Sequence, residues 1–437
     1  MKRAQLPIAA AATTLMLTAT PALAQAGRID AGDTAWMIGA TGLVLLMTIP
    51  GLALFYAGMV RKKNVLATMA QSFAATFIVS SLWVCIGYSL AFTGDGAILG
   101  SLDRVFLIGM NPDVISPFAK TIPECLFMMY QMTFAIITVA LVAGAVADRM
   151  RFSAYLLFSA LWLLLVYVPI AHWVWGGGFL GRYGVIDFAG GTVVHINAGV
   201  AGLVAAYVLG ARRGYGHDNL SPFDLTLAVV GTGLLWVGWF GFNGGSAMGA
   251  NSRAVMAIVA THLAASAGAL TWMTLEWWTR GKPSVLGMIS GAVAGLGTIT
   301  PASGFVLPMQ ALLIGFLAGT ICFWACTWLK PRLGYDDSLD VFGVHGIGGI
   351  TGTLLAGVLA VGALSVSPEQ PDGVRGLIEG NPQQLLAQLY GVVVTLAWSG
   401  LLTAMILKAV SAIVPLRVGQ EDEIMGLDVS QHGEALQ

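Results

Sequence analysis

Two histidines lie where histidine is costly. His195 sits inside the apolar stretch Asp187 to Leu203 (DFAGGTVVHINAGVAGL), and His345 inside Asp340 to Leu354 (DVFGVHGIGGITGTL). An ionisable ring inside a membrane-length apolar run marks a functional site by default. Imidazole donates and accepts hydrogen bonds, exchanges a proton, and ligates metals. Metal ligation is the weakest of these here, because a catalytic zinc takes three protein ligands and no third lies near the pair. No metal or cofactor is expected. One such histidine alone would read as an interhelical hydrogen bond. Two, about 150 residues apart in matching Asp-preceded and glycine-rich contexts, point to a repeated architecture with a polar pair at mid-membrane.

The elements that must hold this pair are membrane helices. Of 437 residues, 57% are hydrophobic and 10% charged, where soluble domains carry roughly 25% charged residues. The chain reads as an all-α integral membrane protein. A net charge of −1 gives no basis for a nucleic-acid partner. Cys85, Cys125, Cys322 and Cys326 lie in or beside apolar spans without metal-knuckle spacing. Cys322 and Cys326, one helical turn apart, read as packing residues.

Residues 1–24 read as a signal peptide: basic Lys2 and Arg3, an apolar run from Leu6 to Thr20, and the small-residue site Ala22-Leu23-Ala24. The run is shorter than the ~20 residues of a bilayer crossing. Eleven apolar spans follow, near 34–60, 65–92, 121–147, 152–174, 190–211, 224–244, 254–279, 284–300, 305–329, 341–363 and 384–413. Arg61-Lys62-Lys63, Arg149 and Arg151, Arg212-Arg213, Arg280 and Lys282, and Lys330 and Arg332 fall on alternate connections, joined by Lys408 and Arg417. The opposite connections hold fewer basic residues. The positive-inside rule then sets the N-terminus outside and the C-terminus inside. The expected fold is eleven transmembrane helices in a 5+5 inverted pseudo-twofold repeat, about 34–211 and 224–363, plus a final helix at 384–413. His195 and His345 fall in the fifth and tenth spans. The transmembrane domain covers 25–417, and 418–437 is a short polar tail that by itself reads as a disordered end.

Aromatic residues gather near span ends: Tyr130 and Phe134, Trp173 and Trp175, and the group Trp236, Trp239, Phe240 and Phe242. Such residues belong to interfacial belts, but a cluster of aromatic faces also attracts a small cation, and Ser246 adds a hydrogen-bond acceptor. Acidic and basic residues (Glu124, Asp148, Asp187, Arg253, Glu276) stand only near span ends. A buried symport carboxylate, an arginine ladder and a TVGYG-like filter are all lacking. An ion crossing such walls pays a large desolvation cost; a small neutral molecule with hydrogen-bonding capacity does not.

The motifs TIPGLALFYAGMVRKKN (48–64), MRFSAYLLFSALW (150–162), PIAHWVWGGG (169–178), DFAGGTVVHINAG (187–199), GWFGFNGGSA (238–247), GKPSVLG (281–287) and DVFGVHGIGGI (340–350) resemble those of the Amt/Mep/Rh ammonium transporters, and of bacterial Amt proteins in particular. They run in order over nearly all of the mature chain. The resemblance implies an eleven-helix protomer and a homotrimer with one pore per subunit, in the inner (cytoplasmic) membrane. It implies an ammonium recruitment site at Trp175, Phe134 and Ser246, with Tyr130 contributed toward a neighbouring subunit. It implies a gate of Phe134 and Phe242, and twin pore histidines His195 and His345. Asp187 matches an acidic residue supporting the recruitment region. Asp340, placed alike before the tenth span, reads as a helix cap, and Phe55 and Tyr56 flank the pore.

Ammonium and K⁺ are alike in size and charge, so aromatic attraction cannot separate them, whereas deprotonation can. Desolvation favours the neutral form, and ammonia then passes the two imidazoles, which are expected to relay the proton. GLDVSQHGE (426–434), which includes His432, resembles the cytoplasmic end of family members that bind a PII-type signalling protein. Among the other histidines, His172 reads as interfacial, His217 as a loop residue and His262 as a helix contact. An ammonium sensor signalling through the tail and a channel for another neutral gas are the competing functions; an enzyme is not expected.

Overall fold

The computed structural model describes residues 27–367 and 370–436; the expected signal peptide at 1–24 lies outside them. The described chain is almost wholly helical, apart from one short hairpin that pairs Ile115–Ser116 with Ala119–Pro123. Eleven apolar helices follow in chain order among the described residues. They are α1 (Ala31–Met59), α2 (Lys62–Phe92), α3 (Glu124–Val146), α4 (Phe152–Tyr183), α5 (Gly191–Leu209), α6 (Leu225–Gly245), α7 (Ser252–Arg280), α8 (Val285–Ile299), α9 (Pro308–Leu333), α10 (Phe342–Leu359) and α11 (Pro382–Ser411). Ten are long and apolar enough to cross a bilayer. The exception is α8, with 15 residues, about 22 Å at the α-helical rise. The expected span at 284–300 is therefore a short helix that gives way to a buried turn over 300–305.

Local chemistry sets the boundaries. Asp30, Asp224, Asn251 and Ser284 each accept a backbone N–H from the first turn of α1, α6, α7 and α8, satisfying donors a helix leaves open at its start. Gly281, at φ 77°, closes α7 in a left-handed turn. Helix α3 is the centre of the bundle, with 83% of its most apolar window buried; α5 follows at 78%, whereas α9 and α11 bury 33% and turn most of their surface outward.

Helices α5 and α10 cross at glycines, and the crossing is reciprocal. Gly199, four residues after His195, lies against Gly346 and the His345 carbonyl carbon, while Gly349, four after His345, lies against the His195 Cβ. A methyl group at Gly199 would collide with the Gly346 backbone, so this approach needs glycine on both helices. Each histidine also sits in a widened π-helical turn, Gly191–Ile196 in α5 and Phe342–Gly346 in α10. Such turns re-aim side chains and recur at functional sites.

The basic connections converge on one end of the bundle. There Arg212 pairs with Asp336 at 2.8 Å and with Asp148 at 3.6 Å, and Arg61 pairs with Asp148 at 3.1 Å. Burial would raise the Asp336 carboxyl, but the hydrogen bond and charge of Arg212 outweigh it and hold Asp336 below its ordinary value. The tail packs onto this end as two short helices, α12 (Gln420–Met425) and α13 (Leu427–His432). The expectation of a disordered end is corrected by specific anchors. Asp428 accepts the Ala67 N–H at 2.8 Å, and Leu427 donates its N–H to Asn64 at 2.8 Å. Lys63 donates to the Glu423 and Ile424 carbonyls, and the His432 ring meets Phe152.

Candidate functional site

A line of three cavities runs through the molecule, separated by two constrictions. The first is a vestibule of about 300 Å³ lined by Phe134, Trp175, Asp187, Ser246 and Arg253 among others. The recruitment residues Trp175, Phe134 and Ser246 are thus brought to one chamber. Trp175 meets Phe134 edge to face, with ring centroids 5.8 Å apart and planes at 85°. Its indole N–H donates to the Asp187 carbonyl at 2.8 Å, which fixes the ring over the chamber.

Asp187 does two jobs at once. Its backbone holds Trp175, and its carboxylate caps α5. Oδ1 accepts the N–H groups of Gly190 and Gly191 at 2.7 and 2.6 Å; Oδ2 accepts those of Thr192 and Val193 and the Thr192 hydroxyl. An anion at a helix N-terminus is favoured by the helix dipole and satisfies open donors. Asp187 thus ties the Trp175 ring to the start of α5.

The floor of the vestibule is an aromatic plate. Phe134 and Phe242 stack with centroids 4.1 Å apart and planes within 17°, and each is only 1% exposed. Below it a narrow void of about 10 Å³ is lined by Phe242, Trp239, Leu141, Phe55 and both histidines, space for roughly one water. His195 and His345 end it. Their rings lie within 8° of parallel, and Nδ1 faces Nδ1 at 3.2 Å. One Nδ1 must carry a hydrogen and the other must not, so the pair holds complementary tautomers. Trp239 lies flat against His195, with centroids 5.6 Å apart, and donates its own N–H to Thr300 at 2.9 Å. The His195 Nε2 has no protein partner and is the free polar atom of the void.

Beyond His345 opens a second vestibule of about 150 Å³, lined by Phe55, Tyr56, Ser290, Leu339, Asp340 and His345. Phe55 borders both the void and this chamber, and Tyr56 donates to the Leu141 carbonyl at 3.0 Å. Both line the second vestibule.

Three expectations change. Tyr130 does not face outward toward another subunit: it is fully buried, and its hydroxyl donates to the Gly241 and Phe242 carbonyls at 3.1 and 2.8 Å. It braces the helix end that carries Phe242 and Ser246. Asp340 does not cap α10. Its backbone is left-handed (φ 59°), and its carboxylate pairs with Lys330 at 2.6 Å. The capping carboxylate is Asp337, whose Oδ2 accepts the Phe342 N–H at 2.7 Å. Asp337 stands eight residues before His345, as Asp187 stands eight before His195; that equal spacing was the signal that identifies it. Burial raises the Asp337 carboxyl above its ordinary value against the pull of Lys330. His172 is wholly buried, with Nδ1 2.9 Å from the Ala91 carbonyl and Nε2 2.7 Å from that of Gly96. It ties the 91–96 segment to α4 and is not interfacial. His262 contacts Trp236 and Phe240 across α6 and α7, as expected of a helix contact. Trp239 was read only as part of an aromatic group; its place against His195 depends on a fold no spacing rule shows.

Residues 35–436 match the model of the Ammonium Transporter Family. The chain belongs to that family. It is 49% identical over 407 residues to a putative ammonium transporter of Methanothermobacter thermautotrophicus, covering 93% of this chain and 98% of that one. With the ammonium transporter of Aquifex aeolicus it shares 48% over 414 residues, 94% and 95% of the two chains. Among solved structures, Candida albicans Mep2 superposes with a TM-score of 0.84 at 37% identity, over 93% of this chain and 90% of that one. The protein is therefore a multi-pass membrane transporter for ammonium, and its twin histidines lie in the passage between the two vestibules. Among the described residues no cluster of three or more His, Cys, Asp or Glu residues suited to a metal ion is found.

Proposed function

We propose that the transporter recruits ammonium in the Trp175 vestibule, deprotonates it at the Phe134–Phe242 plate, and conducts ammonia past His195 and His345. The proton crosses by way of the histidine pair. The observation that carries this reading is the sequence of constrictions. A stacked aromatic plate is followed by a void for about one water, with imidazole nitrogens as its polar groups. A cation entering it sheds its hydration shell and finds no carboxylate in return, at a cost of several kcal/mol. Ammonium escapes that cost by transferring its proton to the unpartnered His195 Nε2, which leaves neutral ammonia; K⁺ has none to transfer. Ammonia then finds a donor or an acceptor at His195 Nε2, according to the tautomer. The Nδ1–Nδ1 contact lets a proton received on one side be released on the other after both rings exchange tautomers.

The Trp175 vestibule faces the outside in this reading. Arg61, Lys63, Arg149, Arg212, Lys330 and Arg417 gather at the opposite end, which the positive-inside rule assigns to the cytoplasm. In this reading the protein lies in the cytoplasmic membrane, its signal peptide is removed, and it forms a 5+5 inverted repeat of which α5 and α10 are the equivalent helices. Support for the repeat comes from the paired π-turns, the reciprocal glycine contacts and the equal Asp–His spacing. The assembly is a homotrimer, to be read by native mass, and the tail is the docking element for a PII-type protein.

The test is current across proteoliposomes on ammonium and K⁺ pulses, with His195→Ala beside the wild type. An ammonium-specific current, weakened or made K⁺-permeable by the substitution, is the expected result. Internal alkalinisation without current would overturn the proton relay and leave passive ammonia conduction.

A further inference from the structure

The recruitment vestibule contains a permanent positive charge that cation recruitment does not call for. Arg253, at the start of α7, lines the same chamber as Trp175, Phe134 and Ser246. Its guanidinium carbon sits 4.9 Å from the Phe188 ring centroid and 4.5 Å from that of Phe305. Its Nε donates to the Gly304 carbonyl at 3.0 Å. No carboxylate among the described residues forms an ion pair with it, unlike Arg61, Arg104 and Arg212. The nearest acidic side chain of the chamber, Asp187, is saturated by backbone donors.

Two consequences follow from this geometry. The guanidinium occupies the faces of Phe188 and Phe305 by cation–π contact, so those rings offer less to a second cation. The guanidinium also forms no ion pair, the Asp187 carboxylate of the same chamber being engaged by the start of α5, and an arginine stays charged at any physiological pH. A chamber of this volume is roughly 8 Å across. At that range one unit charge lowers occupancy by another cation roughly two- to sixfold, for effective dielectrics from that of water to half of it.

We propose that Arg253 is an affinity-setting residue of the recruitment site, which holds down the occupancy of the vestibule by monovalent cations and so sets the apparent affinity for ammonium. Aromatic faces attract K⁺ and ammonium alike, and K⁺ bound there obstructs the plate without being able to cross it. Repulsion from Arg253 weakens both by the same factor. The site then answers to ammonium at a higher concentration and is less easily plugged by K⁺. This inference rests on ammonium being taken up from the Trp175 side.

The experiment measures the KM of the ammonium current in proteoliposomes, and the inhibition constant of K⁺, for wild type, Arg253→Gln, Arg253→Lys and Trp175→Ala. Each is repeated with N-methylglucamine chloride raised equally on both sides. Arg253→Gln is expected to lower both constants by the same roughly two- to sixfold factor with the maximal current retained, while Arg253→Lys stays near wild type. Added salt screens the repulsion over about 8–10 Å, so the wild-type KM falls with salt and that of Arg253→Gln does not. An unchanged or raised KM in Arg253→Gln, with Trp175→Ala raising KM, overturns this inference alone. An equal fall in Arg253→Lys assigns the effect to packing and also overturns it. A KM untouched by Trp175→Ala overturns the recruitment reading and this inference with it. Should Arg253→Gln fail to fold, the wild-type titration decides: a KM that is flat or rises with salt rejects the proposal.

Discussion

The Nδ1 atoms of His195 and His345 stand 3.2 Å apart, so the two rings share one hydrogen and their tautomers are locked to each other. The loss of either ring therefore removes the function of both. His195→Ala and His345→Ala should each lower ammonium flux by roughly tenfold or more, from two hydrogen bonds worth about 1 kcal/mol each. The double variant should lie within about threefold of the worse single one, because groups acting as a unit are not additive. Flux of ammonium into proteoliposomes measures the cycle. Losses that multiply across the pair would mean two independent sites and reject the shared proton.

The aromatic plate makes a different prediction. Phe134 and Phe242 stack at 4.1 Å and are almost wholly buried, so Phe242→Ala should cost about 3–5 kcal/mol in stability, as for other buried phenylalanines, read by thermal unfolding in detergent. It should also join the vestibule to the void and admit hydrated K⁺. Phe242→Leu keeps most of the apolar volume and should keep K⁺ out. A Phe242→Ala protein that folds and stays K⁺-tight would show that exclusion resides at the histidines and not at the plate.

Much of the pore was legible because its residues are exceptions in their surroundings. His195 and His345 are isolated polar groups in apolar runs, and Trp175 and Ser246 belong to motifs within the family match, which also covers Phe134. Asp337 was missed because Asp340 stands closer to His345 and looks the same in one dimension. Only the left-handed turn at Asp340 shows which carboxylate reaches the Phe342 N–H. Tyr130 misled for a related reason: its place in α3 was readable, but the direction of its hydroxyl depends on where α6 ends. The brevity of α8 was readable, since the expected span at 284–300 is short, and the structure ends the helix at Ile299, before a buried turn that holds Pro301, Ser303 and Gly304. The vestibule charge of Arg253 looked like an ordinary helix-end residue until the 188 and 305 rings came together around it.

The tail gives a prediction whose sign depends on pH. Asp428 anchors α13 by accepting the Ala67 N–H, the task of a cap at the start of α2. Burial raises its carboxyl above the ordinary value, against the pull of the Ala67, Leu66 and Val65 N–H groups and of His432. A group whose docked value exceeds its free value favours docking when protonated. That contribution is complete below the free-tail value, about 4, and is lost as pH rises through the docked value. At pH 7 the ionised carboxylate thus docks at some cost, offset by the hydrogen bond. Asp428→Asn keeps the acceptor oxygen without the charge and should dock at least as firmly at neutral pH. Asp428→Ala removes both and should loosen the tail by about 1 kcal/mol. Hydrogen exchange over residues 418–436 reads the difference, with binding of a PII-type protein measured on the same variants and on a chain truncated after 417. If Asp428→Asn exchanges as fast as Asp428→Ala at pH 7, the carboxylate's charge is itself the anchor, and the cap assignment fails.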